Sequence, residues 1–87
     1  MKTMRAKFKV FSVRKYMDST MGIVDGVSLI FHAVGPNVSY PEDGVDENNT
    51  FARWTPNANL KMTIHNPALF DSFEEGDEFY ADFTPAP

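Results

Sequence analysis

The sequence predicts an all-β fold: a small single-domain barrel of about five strands, OB-like or SH3-like, with one short helix before the last strand. Three observations predict it. Apolar and polar residues alternate with a period of two in several short segments, as half-buried strands require. Those segments are separated by clusters rich in Gly, Pro, Asn and Asp. The cationic start and the acidic end of the chain are complementary, as they would be if the first and last strands paired to close a sheet. At 87 residues the chain is one domain, 1–87.

The first strand is expected from Met4 to Tyr16. Ala6, Phe8 and Val10 share one parity and Lys7 and Lys9 the other, but Phe11 and Val13 are apolar on the opposite parity. A slip of one residue predicts a β-bulge near Val10-Phe11. Asp18 to Gly26 reads as a turn or short loop, with Asp25-Gly26 its sharpest turn signal. Val27 to Val34 is a second strand, with Val27, Leu29, Phe31 and Ala33 on one face and Ile30 and Val34 on the other.

Residues 35–49 form a long acidic loop carrying Pro36, Pro41, Gly44, Glu42, Asp43, Asp46 and Glu47. Loops of this length in compact domains are usually functional or mobile. The acid spacing does not fit an EF-hand, so a solvated loop is the better reading. The sequon-like triplets Asn37-Val38-Ser39 and Asn48-Asn49-Thr50 carry little meaning without a secretory signal. Thr50 to Trp54 is expected as a short third strand, and Asn59 to His65 as a fourth, with Leu60, Met62 and Ile64 inward. Asn66 to Phe73 reads as a short helix: Asn66 suits the N-cap, Pro67 the first helical position, and Leu69, Phe70 and Phe73 share a face. Glu78 to Phe83 is the last strand, with Phe79, Ala81 and Phe83 inward. The tail 84–87 ends in Thr84-Pro85-Ala86-Pro87 and cannot extend a central ladder.

Charge is sorted along the chain. The first 15 residues hold six of the eight cations and no acid, whereas the last 22 hold six of the twelve acids and no cation. Pairing of the end strands predicts a Lys7/Lys9 row beside Glu78, Tyr80 and Asp82. The competing reading is a basic stripe for nucleic acid, against which the net charge of −4 argues.

Composition and motifs exclude several classes. No cysteine is present, which removes disulfide scaffolds, thiol nucleophiles and Cys-ligated metal. No apolar run approaches a membrane span, and the start carries no apolar signal-peptide core. Neither a Ser-His-Asp pattern, a Gly-rich phosphate loop nor an HExxH motif occurs, and His32 and His65 read as structural or surface residues. The expectation is a non-enzyme with no cofactor and no metal. The candidate binding face is Lys7, Lys9, Phe51, Arg53, Trp54 and Tyr80, in which aromatic and basic residues suit either stacked bases or a protein partner.

Two stretches carry a resemblance. Glu47-Asn48-Asn49-Thr50-Phe51-Ala52-Arg53-Trp54-Thr55-Pro56 is followed by Asn66-Pro67 through Phe73, Gly76, Tyr80 and Asp82-Phe83-Thr84-Pro85-Ala86. Over roughly its C-terminal half the chain resembles a family of small uncharacterised tailed-bacteriophage proteins with the pattern E-N-x-[ST]-F-x-[KR]-[WY]-T-P, then N-P, then F-x-x-G-x-x-Y-Y-x-D-F-T. It departs at Phe79, where the first Tyr would stand, at Glu75, where Pro is frequent, and in its long acidic loop. The resemblance implies a phage origin. The expected function is a non-enzymatic accessory protein that binds another protein, most concretely a capsid decoration component of the virion. The alternatives are an OB-like binder of single-stranded nucleic acid acting early in infection, and a host-defence-interaction protein that sequesters a signalling nucleotide between subunits. The expected location is the virion or the host cytoplasm. Expected partners are a phage capsid protein or another copy of the chain, and no membrane.

Overall fold

The computed structural model describes residues 3–18, 20–35, 39–45 and 47–87. Met1, Lys2, Ser19, Pro36, Asn37, Val38 and Asp46 lie outside the described residues, and with them most of the first sequon-like triplet and one acid of the long loop. Four strands are present among the described residues: β1 (Met4–Met17), β2 (Val24–Ala33), β3 (Asn59–Ile64) and β4 (Glu78–Phe83). All neighbours are antiparallel, in the order β3-β2-β1-β4.

The two ends of the chain are neighbours, as their charges predict. β4 lies along the first half of β1, with Arg5 opposite Asp82, Lys7 opposite Tyr80 and Lys9 opposite Glu78. Arg5 grips Asp82 through two bonds, Nε to Oδ1 at 2.6 Å and one guanidinium nitrogen to Oδ2 at 3.2 Å. Lys7 Nζ stands 3.3 Å from Glu78 Oε1.

The predicted slip in β1 is also present. Val10 faces Phe31 and Ser12 faces Ile30, leaving Phe11 as the extra residue. The bulge returns Val13 to the parity of Leu29, so the apolar set stays on one face despite the change of phase in the sequence. Phe11 is left on the other face, 61% exposed and stacked on His32 at 4.3 Å.

The core is one face of this sheet. Ala6, Phe8, Val10, Val27, Leu29, Phe31 and Ile64 are buried, and Phe51, Phe70 and Phe73 from the connections pack over them. Phe31 is the hub of the ring contacts, with Phe8, Phe73 and Phe79 at 6.2, 6.4 and 6.4 Å in edge-to-face geometry.

Four expectations are corrected. The first concerns closure: the sheet has four strands and is open, with β3 and β4 as opposite edges. The segment expected as the third of the five strands, Thr50 to Trp54, turns back on itself. Trp54 has φ of 59°, its N–H donates to the Gly44 carbonyl, and Arg53 forms only an isolated bridge with Val45. Second, the turn joining β1 to β2 is built on Asp18 rather than on Asp25-Gly26. The Asp18 carboxylate accepts from the N–H groups of Thr20 and Met21, and Gly22 takes φ of 69°. Gly26 lies inside β2, where a Cβ would stand 3.3 Å from the Ile64 carbonyl and the His65 ring, so its glycine serves close packing.

Third, the expected helix is a single 3-10 turn, Pro67–Leu69. Its cap is as expected, with Asn66 Oδ1 accepting from Ala68 N–H at 3.1 Å. Phe70 and Phe73 pack inward, but Leu69 is 40% exposed. Fourth, Met62, Phe79 and Phe83 share the parity of the core face yet remain substantially exposed, because no second sheet covers that face.

The result is a thin object, 56 × 33 × 17 Å, with a radius of gyration of 15.9 Å. A compact chain of this length would have a radius of about 12 Å. The accessible surface of 6510 Å² likewise exceeds the roughly 5,200 Å² expected of a folded monomer of this mass.

Candidate binding surfaces

Six residues were expected to form one binding face, and the fold sends them to three places. Lys7, Lys9 and Tyr80 lie on the face of the sheet opposite the core, with Lys7 buried in its ion pair and Tyr80 beneath the Arg5 guanidinium at 4.7 Å. Phe51 packs against the core cluster. Arg53 and Trp54 make their contacts within the 40–54 loop: Arg53 Nε donates to the Asp43 carbonyl at 2.7 Å, and the Trp54 ring tilts against Tyr40 at 5.7 Å. Gly44 is required beneath that indole, because a Cβ there would come within 2.5 Å of it and φ is 73°.

The residue that sequence reasoning missed is Asn49. Its side chain is almost fully buried and bonds to β1 and to Val34, the residue that follows β2. Oδ1 accepts from Lys7 N–H at 2.7 Å, and Nδ2 donates to the Val34 carbonyl at 2.8 Å. Beside it, Thr50 N–H donates to the Arg5 carbonyl and Thr50 Oγ1 accepts from Arg5 N–H. Asn49-Thr50 thereby stands in for a strand along the part of β1 that β2 does not reach, satisfying backbone groups that would otherwise be unpaired. Only the polarity of Asn49 was visible in the sequence, and it read as a loop residue.

A second surface lies at the far end of the molecule. Beyond Lys9, β1 has no β4 partner, and beyond Val27, β2 has no β3 partner. What continues is a two-stranded arm. Its end carries Met17, Met21 and Ile23, which are 62%, 70% and 56% exposed. Exposed apolar side chains are ordinary when single, but three gathered around one turn form a patch. A two-stranded ribbon is itself marginal without further packing. Lys15 reaches across to Asp71 at 2.7 Å and ties the arm's root to the segment after the 3-10 turn.

Among the described residues no group of three or more His, Asp or Glu side chains could hold a metal ion. Nor is any helix among them long and apolar enough to cross a membrane. The clearest electrostatic perturbation is structural: the hydrogen bonds from Arg5 hold the Asp82 carboxyl below the usual carboxylate range, and the same bonds raise the Arg5 guanidinium. No protein-family model, curated protein or solved structure matches the chain.

Proposed function

We propose that this chain is a non-enzymatic, protein-binding accessory protein of a phage, and that the apolar end of the β1–β2 arm is the part that grips. The supporting observation is the exposure of Met17, Met21 and Ile23 on a ribbon that projects beyond the covered sheet. Burying those three side chains in a partner supplies roughly 1.5–3 kcal/mol each at most, enough to dock an arm and to rigidify it. The excess surface and small thickness of the chain favour the same reading, since a single-layer sheet becomes complete when something else covers it.

Decoration of a capsid is the most concrete form, with the arm laid on a neighbouring protein in the virion. Any closure into a barrel is part of this proposal too: a partner strand along the β3 or β4 edge would supply the fifth strand. A single-stranded nucleic acid has less support, because Arg53 and Trp54 are engaged within their loop rather than beside the lysines of β1.

Two measurements test the reading. Purified particles should contain the chain in their mass spectrum, and its absence removes the virion form. A photo-crosslinking residue at position 21 should give a discrete protein adduct in infected cells, whereas the same group at position 57 should not. Failure of both overturns protein binding through the arm.

A further inference from the structure

The seven cations among the described residues are not treated alike by the fold. Arg5, Lys7 and Lys15 each have an acid, and Arg53 has a backbone carbonyl. Lys9 stands opposite Glu78 and shares a depression with Glu75. Like Lys9, Arg14 and Lys61 have no ion pair or side-chain hydrogen bond among the described residues, but unlike Lys9 they share their depression with no carboxylate. In a chain of net charge −4 with twelve acids, two neighbouring cations that line a depression without any acid set this place apart from the surroundings of Lys9.

Register brings them together. On the face opposite the core, Ser12, Ile30 and Lys61 form one row across three strands, and Arg14, Ser28 and Thr63 form the next. Same-face neighbours on adjacent strands stand about 5 Å apart. Arg14 and Lys61 are therefore diagonal across Ser28 and Ile30, and two long side chains can lean over one floor. With Ser12, Tyr16, Ser28 and Ile30 they line a depression of about 400 Å³ whose wall contains no carboxylate. The hydroxyls of Ser12, Ser28 and Tyr16 also have no hydrogen-bond partner among the described residues. The volume falls within the range of small-molecule sites.

We propose that this depression binds a small phosphate-bearing ligand of nucleotide size. The Arg14 guanidinium presents a planar fork to two phosphate oxygens, and the Lys61 ammonium supplies the second positive charge. The Ser12 and Ser28 hydroxyls donate to the remaining oxygens, which is more donors than one carboxylate would need. The Tyr16 ring, 47% exposed at the rim, offers a surface on which a base stacks. A nucleic-acid strand would need a continuing track of cations. The next one along β1, Lys9, is flanked by Glu75 and Glu78, so the positive surface stops after one ligand.

The test is a titration of the isotope-labelled intact chain, followed by amide chemical shifts at low salt, with inorganic phosphate, adenosine 5′-monophosphate and a thymidine oligomer as probes. The nucleotide should shift residues 12, 14, 16, 28 and 61, and bind more tightly than inorganic phosphate. Arg14→Gln should weaken it about tenfold and Lys61→Gln about fivefold, while Lys9→Gln leaves it unchanged. These positions are on an open sheet face, and an unaltered spectrum of the free variants verifies that they fold. No shifts at about 10 mM of either small probe overturn the proposal. So does binding that ignores Arg14→Gln and Lys61→Gln. Tighter binding of the oligomer that Lys9→Gln weakens equally overturns it in favour of a nucleic-acid face.

Discussion

The two halves of β1 are built from similar residues and live in different worlds. From Met4 to Val10 the strand has β4 on one side and β2 or Asn49-Thr50 on the other, and its apolar side chains are almost all buried. From Phe11 to Met17 it has β2 alone, and Phe11, Tyr16 and Met17 are exposed. Arg5 and Lys7 in the first half and Lys15 in the second form ion pairs with acids, whereas Lys9 and Arg14 form none among the described residues. The same strand is thus covered at one end and open to solvent at the other. What separates the two ends is the length of β4, which is six residues against fourteen.

The sharpest way to break this comparison is at Leu29, fully buried at the centre of the core face. Leu29→Ala should cost about 2–5 kcal/mol in urea unfolding. A loss below about 1 kcal/mol would mean that the sheet has no real core. Next comes Asn49→Ala, which leaves the Lys7 N–H and the Val34 carbonyl unpaired in a buried place. It should cost roughly 2–4 kcal/mol and speed hydrogen exchange at Lys7 more than at Leu29.

The arm should behave oppositely. Replacing Met17, Met21 and Ile23 together with Ser should change unfolding free energy by less than about 0.5 kcal/mol per site, yet abolish crosslinking to a partner. A large loss of stability there would show that the arm belongs to the folded core.

The smallest effect is at the other end. Asp82 is held below the usual carboxylate range by Arg5, so its folded form favours the charged state. Its contribution is then complete above the unfolded carboxylate value and is lost as pH falls through the lower folded one. Because the pair is exposed, salt should erase most of it. An NMR titration of the Asp82 carboxyl should show a depressed midpoint that Arg5→Ala restores.

Much of this was legible in the sequence. The alternation of Ala6, Phe8 and Val10 against Val27, Leu29 and Phe31 marked the core face, and the change of phase at Phe11 marked the bulge. The charges placed β4 beside β1 with the right partners, because cross-strand neighbours must be electrically compatible whatever the rest of the fold does. The candidate site was less legible. Phe51, Arg53 and Trp54 look alike whether they form a strand or a folded loop, since both conformations can bury an aromatic ring.

Local pattern and pairwise charge therefore determined which segments extend, which faces are apolar and which strand ends meet. Tertiary structure alone decided that the sheet stays open, that Asp18 rather than Asp25-Gly26 makes the turn, and that Asn49 replaces a strand. The bonds that make the Asp18 turn are local, but the place of Gly26 inside β2 and the role of Asn49 depend on distant groups. A buried N–H at Lys7 or a close approach at Gly26 exists only once the strands are assembled, so no window of sequence carries it.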